Sequence, residues 1–134
     1  MGTVKVVIEK SKTGYSAYIP ELTGCVSTGI SIDKIKENIN EAIKYHLEGT
    51  IEDGIQVPEV FKSTYTLVFS YDVETFLNYY SKIFSKRALS RITGINESLL
   101  SQYASGLKHP RPAQAKKIEK GLHELAKELL QVSL

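Results

Sequence analysis

The hydrophobic pattern of this 134-residue chain changes near residue 71, from strand alternation mixed with one helical stretch to helical spacing throughout, and that change restricts it to folds in which a sheet-and-helix module precedes an all-helical one. Before the change, "TVKVVIE" places Val4, Val6 and Ile8 on one face and "YSAYIP" places Tyr15, Ala17 and Ile19 on one face. Further along, "TYTLVFS" sets Tyr65, Leu67 and Phe69 against Thr66 and Val68. Side chains alternate across a strand, so each stretch reads as a strand with one side toward a core. "SKTG" is a hairpin turn with Gly14 expected at positive φ, and "PELTG" leads into a brief third strand, "CVSTG". Ser31 is placed to cap a helix from Ile32 to about Leu47, whose stripe is Ile32, Ile35, Ile39, Ala42, Ile43 and Leu47 and whose stop is Gly49. "GTIEDGIQVPEVFKS" has the Gly, Asp and Pro content of a loop.

These elements predict β-β-β-α-β, a three-stranded meander with one added strand and a helix on one face. From Asp72 onward the spacing is helical. "DVETFLNYYSKIF" reads as one helix with Asp72 as N-cap and Val73, Phe76, Leu77, Tyr80 and Phe84 on its apolar side. Two shorter helices and a final one from Pro112 to about Gln131 follow. The expected fold class is α+β, with one domain over residues 1–70 and another over 71–134.

Composition narrows the function classes. Hydrophobic content of 42% with 24% charged residues is globular. No apolar run approaches the roughly 18 residues of a membrane span, and "MGTVKVVIEK" lacks the apolar core of a secretory signal, so the expectation is a cytoplasmic protein with no membrane partner. One Cys25 and three scattered His residues supply neither a disulfide framework nor zinc spacing, and no metal or cofactor is expected. The charge is unevenly divided. Residues 1–84 hold 8 Lys and 11 Asp plus Glu, whereas residues 85–134 hold 9 Lys plus Arg and 4 Glu. A basic second half points to a polyanionic partner.

That second half contains "LSRITGINESLLSQYASGLKHP". Two helices that cross steeply over a short turn need Gly in the turn and a small residue at the contact, which Gly94 and Ser90 supply. Leu89, Ile95, Leu100 and Tyr103 fall toward a common core, and Asn96 caps the second helix. The stretch resembles the phage-repressor and Cro type of helix-turn-helix, over about residues 72–134, departing from it at Ser90, where Ala is usual. The resemblance implies a lambda-repressor-like all-α domain that reads double-stranded operator DNA. Asn96, Glu97, Ser98, Ser101 and Gln102 would face base edges, Gln being suited to adenine. Glu97 either accepts from cytosine N4 or only stabilises the helix start. Lys86, Arg87, Lys108, His109 and Arg111 would hold phosphates. Lys116, Lys117 and Lys120 read as a solvated helix face.

The first half contains "GYSAYIPELTGCVSTGISIDKIKENINEAIKYHLE", which resembles the HicB antitoxin family over roughly residues 4–60. It departs from that family's commonest helix start at Lys34, where an acidic residue is frequent, leaving the capping box incomplete. The resemblance implies a partial ribonuclease-H-like fold, binding and blocking of a HicA-type toxin that cleaves messenger RNA, and autorepression of the shared operon. Tyr15, Tyr18, Glu21 and Leu22, expected to be exposed around the second strand and its turn, are the residues proposed for toxin contact. An acidic first domain suits a basic, RNA-handling partner. Palindromic operators require two recognition helices about 34 Å apart. A homodimer at least is therefore expected, with a tetramer left open and Leu122, Leu125, Leu129 and Val132 as interface.

Two rival readings remain at this point. One is a stand-alone transcription regulator whose first domain oligomerises or senses a ligand. The other is a metal-dependent nuclease, which needs carboxylates converging on ions about 4 Å apart. Glu9 faces away from the Val4, Val6 and Ile8 side, Glu21 sits in a turn, and Asp33, Glu37 and Glu41 follow an exposed helix face, so no enzymatic activity is expected.

Overall fold

The computed structural model describes residues 2–134. It is a mixed α+β structure with a four-stranded sheet and, among the described residues, five α-helices. The chain divides into two compact units, one ending at Asp72 and the other running from Val73 to Leu134.

In the first unit, strand β1 (Gly2–Lys10) turns through Ser11–Gly14 into β2 (Tyr15–Tyr18), and the Pro20–Gly24 turn leads to β3 (Val26–Gly29). Helix α1 (Ile32–Glu52) and a short 3-10 turn (Glu59–Lys62) precede β4 (Tyr65–Ser70). The sheet order is β3-β2-β1-β4. The meander pairs antiparallel, with Ile8 opposite Ala17 and Ala17 opposite Ser27, whereas β4 runs parallel to β1, with Val4 opposite Leu67 and Val6 opposite Phe69. The chain therefore crosses from one edge of the sheet to the other between β3 and β4, and α1 is the crossover.

Helix α1 lies against β3 and β2 with Ile32, Ile35, Ile39 and Ile43 buried, and Val4, Val6, Ile8, Ala17 and Ile19 are buried with them. Ser31 caps the helix, accepting from the Lys34 N–H at 3.1 Å, without needing an acid at position 34. Asn38 Nδ2 donates to the Thr28 carbonyl at 2.8 Å, tying the helix to β3.

The first unit departs from the sequence-based expectation at three places. The helix does not stop at Gly49 but continues to Glu52, because the left-handed residue that closes it is Gly54, at φ +70°. Gly49 sits inside the helix at a cost of about 1 kcal/mol relative to Ala. Gly14 is not at positive φ; its small size matters instead, since a Cβ there would collide with the Gly29 carbonyl oxygen. Leu22 is not exposed: it is 4% accessible and packs in the core of the unit.

The second unit comprises α2 (Val73–Tyr79), α3 (Lys86–Thr93), α4 (Glu97–Ala104) and α5 (Pro112–Leu129). The helix expected over Asp72–Phe84 ends early. Past Tyr79 the backbone tightens, with the Ser81 N–H on Asn78 O and the Ile83 N–H on Tyr80 O, and Ser85 then starts α3 by accepting from the Ala88 N–H. Helix α5 likewise stops at Leu129, short of Gln131. The core is Leu77, Leu89, Ile95, Leu100, Tyr103 and Ile118. Gly121 lets α5 approach α3, since a Cβ there would lie 2.8 Å from the Ile92 carbonyl oxygen.

Replacing Ile39, fully buried on α1, by Ala should lower the stability of the first unit by about 2–5 kcal/mol in chemical denaturation. Cys25 adds a pH dependence. Burial pushes its thiol above the ordinary value, so the folded state holds a proton that the unfolded chain releases. Stability should therefore fall as pH rises past about 8.5, the unperturbed thiol value. Melting curves of Cys25→Ala from pH 7 to 10 should lack that component.

Candidate nucleic-acid and protein-binding surfaces

In the second unit the two short helices are held by side chains as well as by their shared core. Gly94 caps α3 at φ +76°, a left-handed conformation that costs glycine little, and its N–H bonds to the Ser90 carbonyl at 2.8 Å. Thr93, which the sequence pattern did not single out, fixes the turn. Its buried hydroxyl donates to the Leu89 carbonyl at 2.7 Å and accepts from the Ile95 N–H at 3.2 Å. Asn96 Oδ1 accepts from the Leu99 N–H at 2.8 Å, so one side-chain oxygen starts α4. Asn78 on α2 secures the other end, donating to the Ala104 carbonyl at 2.9 Å.

With Leu100 and Tyr103 turned inward, the opposite side of α4 is open. Asn96, Glu97, Ser98 and Ser101 are exposed there and Gln102 is half-buried. The Gln102 carbonyl accepts from the Leu107 and Lys108 N–H groups at 3.0 and 3.2 Å and so ties the basic loop to α4. Lys108, His109 and Arg111 line a cleft of about 560 Å³ with Leu99, Tyr103 and Gln114. Lys86 and Arg87 open α3. Among the described residues none of Lys86, Arg87, Lys108 or Arg111 forms an ion pair, whereas Lys116 and Lys120 on α5 are engaged by Glu119 and Glu124. The unpaired cations leave their field available to an outside anion.

The first unit has a different character. Of the residues expected at a protein contact, Tyr15 is half-buried, Tyr18 is 38% exposed on the sheet face away from α1, and Glu21 is exposed. Tyr18 lies in register between Val7 and Val26. A groove of about 500 Å³ runs between the Glu21–Thr23 turn and the last turns of α1, with Tyr45, His46, Thr50, Asp53 and Ile55 in its walls. Sequence reasoning missed this groove because it ended the helix at Leu47. The usable signal was the spacing of Glu41, Tyr45, Glu48 and Glu52, which places all four on one outer face of a longer helix. Among the described residues no three His, Cys, Asp or Glu side chains gather to hold a metal, and no helix is long and apolar enough to cross a membrane.

A family model described as the HicB-like antitoxin of bacterial toxin-antitoxin systems matches residues 4–99. The chain belongs to the HicB-like antitoxin family. The match runs from residue 4 through the rest of the first unit and into α4. This HicB-like chain is also similar to a UPF0150 protein of Archaeoglobus fulgidus, 40% identical over a 62-residue alignment that covers 41% of this chain and 90% of that protein. A UPF0150 protein of Helicobacter pylori is 48% identical over 44 residues, 33% of this chain and 61% of the relative. An uncharacterised 14.9 kDa protein in the rep-hol intergenic region of Haemophilus phage HP1 is 37% identical over 54 residues. The chain spans 41% of that phage protein's length. Among solved structures, a HicA3 and HicB3 toxin-antitoxin complex matches with a TM-score of 0.37 and 31% identity, over 39% of this chain and 60% of the other.

Because Thr93 satisfies two backbone groups in a buried turn, Thr93→Val should destabilise the second unit by about 1–3 kcal/mol while keeping its shape. Differential scanning calorimetry against Ser101→Ala, an exposed control, would measure it.

Proposed function

We propose that this chain is the antitoxin of a toxin-antitoxin pair and divides two tasks between its units. The first unit, in the partial ribonuclease-H-like arrangement implied by its family resemblance, masks a HicA-type mRNA-cleaving toxin by direct binding. The second, as a lambda-repressor-like helix-turn-helix domain, binds operator DNA and represses the operon encoding both proteins. The observation that carries the proposal is membership of the antitoxin family together with the set of unpaired cations around the open side of α4.

Physical reasoning supports each role. Gln102 and Ser98 offer hydrogen-bonding groups suited to base edges, and the bases carry the sequence information. Lys86, Arg87, Lys108, His109 and Arg111 flank them, so phosphates on either side would fix the register. Asn96 already uses its side-chain oxygen as a cap, which leaves its amide donor for DNA. A symmetric reader needs a second copy, and the far end of α5 suits that role. Leu129 at its end and Val132 just beyond it are 58% and 57% exposed, with Leu125 half-buried, whereas Leu122, also expected at the interface, packs against the core of the unit. Masking a ribonuclease by occlusion requires no catalytic group on the antitoxin.

Gln102→Ala should cost about 1–3 kcal/mol on operator DNA and relax preference at one base position. Lys108→Ala should weaken operator and random DNA alike and reduce the salt slope by about 1. Titrations across a series of salt concentrations separate the two, and equal losses for both variants on both DNAs would remove the groove assignment. Leu129→Asp combined with Val132→Asp should give a monomer by light scattering and abolish tight operator binding. A dimer persisting in that variant would place the interface elsewhere.

A further inference from the structure

The groove at the end of α1 has an electrical setting that the open sheet face lacks. Between residues 37 and 59 the chain carries Glu37, Glu41, Glu48, Glu52, Asp53 and Glu59 against one lysine, Lys44. Glu37 and Glu59 are paired with Lys34 and Lys62, at 3.3 and 3.7 Å. Among the described residues Glu21, Glu41, Glu48, Glu52 and Asp53 have no ion pair. Glu21 and Asp53 stand in the groove walls, while Glu41, Glu48 and Glu52 follow the adjoining face of α1. Tyr45 sits where that face meets the groove and is 68% exposed, and Ile55 across from it is 61% exposed.

Large apolar side chains held outward on a helix and its following turn suit insertion between the side chains of a partner. A ring of unneutralised carboxylates around them repels nucleic acid and attracts a cationic protein surface, raising the association rate and setting orientation. The sheet face around Tyr18 and Val26 is apolar too, but its charged side chains on β1, Lys5 and Glu9, are of opposite sign, so it offers no such selectivity.

We infer that this acid-edged groove, centred on Tyr45 and bounded by Glu21, Glu48, Glu52 and Asp53, is the docking surface for a small basic protein. The inference rests on the antitoxin reading and makes that partner the toxin. Tyr45 and Ile55 supply the apolar anchors, and the carboxylates meet lysines and arginines that would otherwise face RNA.

The test uses the full chain and the HicA-type toxin encoded beside it, co-expressed, separated under denaturing conditions and refolded. Tyr45→Ala should weaken binding at least about tenfold, as truncation of an aromatic anchor does. Glu48→Lys combined with Glu52→Lys should slow association by about tenfold or more and flatten its dependence on salt. Tyr18→Ala and Val26→Ala should bind like the parent. All of these positions are exposed, and unchanged melting curves would show that the fold is intact. No binding by the parent chain would overturn the antitoxin reading and this inference with it. Parent binding matched within threefold by the Tyr45 and Glu48/Glu52 variants would overturn the groove alone, and loss confined to the Tyr18 and Val26 variants would move the site to the sheet face.

Discussion

The packing of four isoleucines on one face of α1 against a sheet whose fourth strand is parallel is the constraint on which the first unit depends. A parallel strand cannot be reached by a tight turn, so the chain must cross the sheet, and a helix with one apolar stripe is the compact way to do so. Once Ile32, Ile35, Ile39 and Ile43 are spent on the core, the outer face of the 21-residue helix is left to solvent or to a partner. The surplus carboxylates and Tyr45 occupy that remainder. The groove exists because α1 runs past Gly49 and carries its last turns out to meet the Pro20–Gly24 turn.

In the second unit the same logic works at smaller scale. Leu100 and Tyr103 face inward and set the rotation of α4, so the inward anchor decides which polar residues look out. The turn from Thr93 to Asn96 then fixes where the helix starts. Buried hydrogen bonds hold that turn, and an unsatisfied group there would be expensive. The outward chemistry of α4 is in this way a by-product of core geometry: a change of rotation at Leu100 would exchange the exposed set for another.

Much of this architecture was legible in the residues. Alternation at Val4, Val6 and Ile8, the Ser31 cap, the Gly94 turn and the Asn96 cap each have a local physical cause, and each lies where its pattern places it. Helix ends were less legible. Gly49 and Gly54 are both plausible stops, and the choice between them depends on which glycine the loop to β4 pulls into the left-handed region. Tyr80 and Phe84 have helical spacing, yet the chain tightens between them so that Ser85 can begin a new helix. Leu22 looked exposed because it follows Pro-Glu in a turn, but a turn residue can point inward when the strands it joins bury their shared face. The groove was invisible for a connected reason, since a helix read as ending at Leu47 has no wall there. Which outward polar residues meet a partner depends on chemistry outside the chain, and spacing alone does not encode it.

The separation of α1 into a buried isoleucine face and an outer face free of structural duty has an evolutionary consequence. Duplicated copies of such a gene can diverge at positions like 41, 45, 48 and 52 without disturbing the interior, and with a partner docked on that face each copy would come to recognise only its own counterpart. A cell carrying several pairs could then keep them insulated from one another through a handful of surface exchanges on one helix.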